Sequence, residues 1–131
     1  MNTLLITGLF FVFIFLFGFW VSRAGKPYNT LLFTIHKLVG LATGIYLIVS
    51  IYHAHQAASF SPLQIMVISL TVLIFICLVA AGGLLSIAAE GGLKKASPST
   101  LTVIEQIHKI FPYLAVLATA ATLYLLLFQQ A

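Results

Sequence analysis

Aspartate does not occur in this chain, and glutamate occurs only as Glu90 and Glu105. With six Lys and Arg, charged residues fill 6% of 131 positions, where a soluble domain carries about 25%. So little polar material cannot cover a water-facing surface. The same scarcity argues against a small proton-coupled exporter, which needs a carboxylate inside the membrane; both acids fall near expected helix ends. A self-contained catalytic centre is also missing, because no nucleophile–base–acid group and no phosphate-binding loop can be found. Cys77 is the single cysteine, so no disulfide framework exists. It lies in an apolar run and reads as a small buried or lipid-facing side chain.

What is present is hydrophobic: 62% of the residues. A chain this apolar belongs in a lipid bilayer, and its length allows about four spans at roughly 20 residues each. The sequence predicts an all-α membrane protein, a single integral membrane domain over residues 1–131. Its helices are expected at about 3–22, 30–56, 62–88 and 99–128, forming a four-helix bundle of two hairpins. The first run lacks the basic start and small-residue cleavage site of a signal peptide and reads as a retained span. Its phenylalanines point all round, which suits contact with lipid or a partner on several sides, and Trp20 is placed as an interfacial anchor.

Punctuation between the runs is clear. Gly25 and Pro27 break the first helix, and Asn29 or Thr30 can cap the second. Ser61-Pro62-Leu63-Gln64 has the form of a capping box with proline at the first helical position. Ser97-Pro98 repeats the cap and proline. The basic residues, Arg23, Lys26, Lys37, Lys94, Lys95 and Lys109, all lie in or beside the first and third connections. The net charge of +4 is therefore a topology marker and not a nucleic-acid footprint. The positive-inside rule puts those connections in the cytoplasm and both termini on the non-cytoplasmic side, as in a bacterial inner membrane.

Thr34-Ile-His-Lys-Leu-Val-Gly-Leu-Ala-Thr-Gly44 sets a histidine inside the second helix, beside a lysine and above small residues. Gln106-Ile-His-Lys-Ile-Phe-Pro-Tyr-Leu-Ala115 repeats the arrangement in the fourth. A histidine entering a membrane helix calls for a reason. With four spans these two helices run parallel, which would bring His36 and His108 to similar depth. Low-spin haem takes one axial ligand on each face, and bundle cores build such sites from facing helices. His36 and His108 are therefore the candidate ligands of a haem iron, and Gly40, Gly44 and Ala115 the small residues that let a flat macrocycle approach. Lys37 and Lys109, with Arg23 and Lys26, are candidates for the propionates. Each imidazole would use Nε2 for iron and donate Nδ1–H to a carbonyl, most simply that of Leu32 or Ile104. Pro112 leaves the His108 carbonyl without its helical partner and is a site for a kink.

The same residues also read as ordinary membrane-helix features. A histidine at a helix entrance can bond water or a headgroup, and Gly40-x-x-x-Gly44 is a helix-contact motif by itself. His53 and His55 lie about 25 Å further along the second helix from His36 and cannot serve the same iron. They are candidates for a quinone head group, a second site shared with a partner, or an exposed interfacial pair. The repeated Ile-His-Lys helices also suggest an internal duplication of one hairpin.

The His-Lys entrances at His36-Lys37 and His108-Lys109, with the small residues after them, resemble small four-helix membrane cytochromes b of the cytochrome b561-like and respiratory membrane-anchor groups. The resemblance is one of arrangement and covers the second and fourth helices. It implies a haem b held between those helices near the cytoplasmic side, passing electrons between a partner subunit and quinone. The fourth helix lacks the second histidine of the two-haem pattern. The alternative is a structural, assembly or pigment-binding subunit of a larger respiratory or photosynthetic complex.

Overall fold

The computed structural model of the chain describes residues 3–128. Four helices account for nearly all of them: α1 (Thr3–Ala24), α2 (Thr30–Ala57), α3 (Pro62–Ala89) and α4 (Pro98–Phe128). All four are long and apolar enough to cross a membrane. Even the shortest, at 22 residues, spans about 33 Å, and a hydrocarbon core is about 30 Å thick. The exposed side chains are those of a lipid-facing protein: Leu4, Leu16, Phe19, Leu31, Ile48, Met66, Ile76 and Leu117 all stand more than half open. The chain is an integral membrane protein by this reading of its helices. Met1, Asn2 and the last three residues lie outside the described residues.

Local chemistry sets the helix ends. Asn29 Oδ1 accepts from the N–H groups of Leu31 (3.0 Å) and Leu32 (3.2 Å), so Asn29 and not Thr30 caps α2. Ser61 Oγ accepts from Gln64 N at 3.2 Å while Gln64 Oε1 accepts from Ser61 N at 2.8 Å, the reciprocal box expected of that sequence. Ser97 Oγ accepts from Thr100 N at 3.2 Å at the head of α4. At the other end of α3, Gly92 N–H donates to the Ile87 carbonyl (2.9 Å) and Gly91 N–H to that of Ala88 (3.1 Å). This is a Schellman closure, and it needs the left-handed φ of 84° that Gly91 supplies. Gly25, at φ 73°, ends α1 in the same conformation. α1 therefore runs two residues beyond the expected Val21-Ser22 end. α4 runs through Pro112 without interruption.

The chain divides into two compact units, Met1–Ala57 and Ala58–Ala131, in which α1 packs on α2 and α3 on α4. In the first, Thr7 and Val21 of α1 and Thr43 and Leu47 of α2 are buried, and the Phe10 and Tyr46 rings meet at 5.6 Å. Polar groups hold the second unit together. Thr71 Oγ1 lies 2.8 Å from Thr122 Oγ1 and donates to the Ala118 carbonyl at 3.1 Å. Gln64 Nε2 reaches the Leu125 carbonyl at 3.1 Å. Lipid offers these groups no competing hydrogen bonds, so side-chain bonds between membrane helices hold position as well as adding modest energy.

Gln64 is thus both the closing residue of the α3 cap and a tie to the last turn of α4. Gln64→Leu is expected to cost about 1–2 kcal/mol, the combined scale of a lost cap and a lost interhelical bond. Denaturation in detergent micelles checks this, with Met66→Leu as the exposed control.

Candidate functional site

Neither histidine hangs from an open helix surface. The His36 ring lies edge-on against Gly18 of α1: a Cβ placed on Gly18 would sit 3.0 Å from His36 Cε1 and 3.4 Å from Nδ1. The His108 ring lies the same way against Gly82 of α3, at 3.0 Å to Cε1 and 3.6 Å to Nδ1. In both rings Nδ1 is buried. The Leu78 backbone, one turn before Gly82, also lies against the His108 ring.

The seats match in more than the glycine. Thr7 stands eleven residues before Gly18, and Thr71 eleven before Gly82; both threonines are buried. On the histidine helices, Thr43 and Leu47 follow His36 at seven and eleven residues, and Ala115 and Thr119 follow His108 at the same spacings; all four are buried. Steps of seven and eleven return to one helical face. Each histidine therefore lies on the face its helix turns to its partner, in the same register in both units.

The other expected site residues are distributed as follows. Gly40 and Gly44 flank the buried face of α2, and a Cβ on either would meet nothing within 4 Å. They do not mediate the α1–α2 contact, and their side of α2 is open in this unit. Ala115 is fully buried in the α3–α4 unit. Lys37 Nζ sits 4.8 Å from the centre of the Phe33 ring. Lys109 pairs with Glu105 one turn earlier, Nζ to Oε1 at 2.8 Å, with half of the lysine side chain exposed. An exposed pair of this spacing contributes about 0.3–0.5 kcal/mol, so Lys109→Gln is expected to shift the denaturation midpoint in micelles by no more than that. Arg23 stacks over Phe19 and Lys26 over Tyr28. His53 and His55 are exposed near the end of α2, His53 with its ring 6.0 Å from that of Tyr52. Cys77 is half-buried and a free thiol.

Among the described residues, no three of His, Cys, Asp and Glu gather as a metal-binding group. A bare metal ion would need three or four such ligands from the protein. Haem needs only two, because the porphyrin nitrogens supply the rest.

Gly18 and Gly82 were not among the expected site residues. A glycine inside a helix gives up about 1 kcal/mol of propensity against alanine, which was the available signal that each has a packing reason. Compared with protein-family models, with curated proteins and with solved structures, the chain matches none of them.

Proposed function

We propose that the chain is a b-type haem-binding membrane electron-transfer subunit, with His36 and His108 as the two axial ligands of one haem. The repeated seating of the two histidines carries this reading. A histidine kept at a lipid interface for solvation needs no counterpart, whereas two imidazoles presented in one register by two similar helix pairs fit a ligand with two equivalent faces. The residues present fit the group. Each ring has Nδ1 buried, which leaves Nε2 as the natural ligating atom. The open side of Gly40 and Gly44 next to His36 admits a flat ring, and Lys37, Lys109, Arg23 and Lys26 provide cations for propionates. When bound, the haem supplies one-electron chemistry, and the protein's part is to hold and orient it.

The finer expectations belong to the same proposal. The connections around 25–29 and 90–97 face the cytoplasm, and the membrane is a bacterial inner membrane. Electrons pass between a partner subunit and quinone. His53 and His55, exposed beyond the apolar length of α2, are the residues best placed to meet a quinone head group or a partner at the opposite membrane face. The test is rapid mixing of haem-loaded protein in liposomes with a short-chain quinol. Reduction of the haem at a rate that saturates with quinol, and slows at least several-fold in a His53→Ala, His55→Ala variant, is the expected result. No reduction by quinol would remove the quinone part of the proposal.

One observation favours the second reading, a subunit without a cofactor of its own. Phe13, Phe17 and Trp20 stack along α1 at 6.4 and 6.3 Å, with Phe13 and Trp20 exposed, a face suited to a neighbouring membrane helix. That face and a haem site are compatible, so it adds a partner to the proposal without displacing it.

A further inference from the structure

The two histidine seats share a component that no ligand assignment includes. Gly18 and Gly82 leave out the one atom that would meet the ring: a Cβ on either falls 3.0 Å from the imidazole Cε1, closer than side chains normally pack. The glycines beside them do nothing of the kind. Gly83 follows Gly82 directly, and Gly8 shares α1 with Gly18, yet a Cβ on either meets nothing within 4 Å. Among the glycines inside the four helices (8, 18, 40, 44, 82 and 83), the two that face a histidine are the ones without room for a Cβ.

We infer that Gly18 and Gly82 are positioning residues for His36 and His108: each lets the imidazole lie on the neighbouring helix with Nδ1 turned to that helix's backbone, and so fixes Nε2 as the ligating nitrogen and sets the plane of the ring. In the second unit the Leu78 backbone, four residues before Gly82, lies against the His108 ring. In the first unit Ile14 stands four residues before Gly18 and occupies the equivalent place. Nδ1 is buried in both rings; a proton carried there would leave Nε2 its lone pair. Ring placement rests on the geometry of each unit alone; its service to an iron rests on the haem reading above.

A side chain at either glycine turns the ring without removing the ligand. Gly18→Val acts on His36 and Gly82→Val on His108, while Gly8→Val and Gly83→Val serve as controls of the same size on the same two helices. Two readouts separate ring placement from haem binding. In haem-free protein, nitrogen NMR of isotope-labelled histidine, recorded above the imidazole titration range, is expected to show both rings protonated at Nδ1. Gly82→Val should move the His108 resonances alone, Gly18→Val the His36 resonances alone, and the controls neither. In haem-loaded protein, the largest g value of the low-spin ferric signal is expected to shift in the two seat variants and to match wild type in the controls. If a valine variant fails to fold, alanine at the same position still brings a Cβ to 3.0 Å and gives a smaller shift in the same direction. An Nε2–H tautomer in the wild type, or seat variants indistinguishable from the controls, overturns the inference. If the NMR pattern holds and no haem binds, the glycines still position the rings and it is the haem reading that fails.

Discussion

With one haem held by His36 and His108 as proposed, alanine at either position is expected to empty the protein of haem and leave it folded. Haem per chain in each variant is expected to fall at least about tenfold below wild type, because low-spin haem depends on both axial bonds. Neither residue holds its unit together by volume. Each ring is half-buried at the edge of a helix contact whose core is Thr43 and Leu47 in one unit and Ala115, Thr119 and Thr122 in the other. Truncation should therefore stay within the ordinary range for a point change, about 0.5–3 kcal/mol, and helix content should match wild type. The two losses should be equal in kind, since the seats are alike. A haem lost in His108→Ala and kept in His36→Ala would mean that this chain provides one ligand and another molecule provides the second.

Ala115→Leu separates two roles that one residue cannot serve equally. Ala115 lies seven residues beyond His108 on the same helical face and is fully buried where α4 packs on α3. A leucine there forces extra carbons into a filled contact, which costs about 1–3 kcal/mol. The membrane gives no relief, because lipid solvates leucine as well as a protein interior does and only packing discriminates. The expected result is a loss of stability of that size, or a fall in the folded-to-unfolded ratio of roughly 5- to 150-fold. Haem content per folded chain should be nearly unchanged. A stable variant that has lost its haem would instead place Ala115 against the macrocycle.

Much of the helical architecture could be read from the sequence, and the reasons are local. Ser61 through Gln64 spells out a capping box, and Ser97-Pro98 and Asn29 mark two more starts with side chains that can accept from the first turn. The first helix runs two residues past its apolar run, up to Gly25, the break the sequence marks, where the backbone turns left-handed. The histidines were visible because they are scarce in such a chain. Their seats were not. A soluble helix shows its inward face as an apolar stripe, but these helices are apolar all round, so periodicity does not reveal which residues face the neighbour. Gly40 and Gly44 form a familiar motif, whereas Gly18 and Gly82, which touch the histidines, belong to no such spacing on the preceding helices. The repeated interval from Thr7 to Gly18 and from Thr71 to Gly82 carried the information. It has meaning only once the register between paired helices is known.

The most direct test of the central claim is the reduced-minus-oxidised absorption spectrum of the wild-type protein purified from membranes, with haem counted as the pyridine haemochrome against protein. A low-spin b-type spectrum and about one haem per chain are expected, as two axial histidines per iron require. A folded, monodisperse and colourless protein, prepared where a control membrane cytochrome is fully loaded, would contradict it.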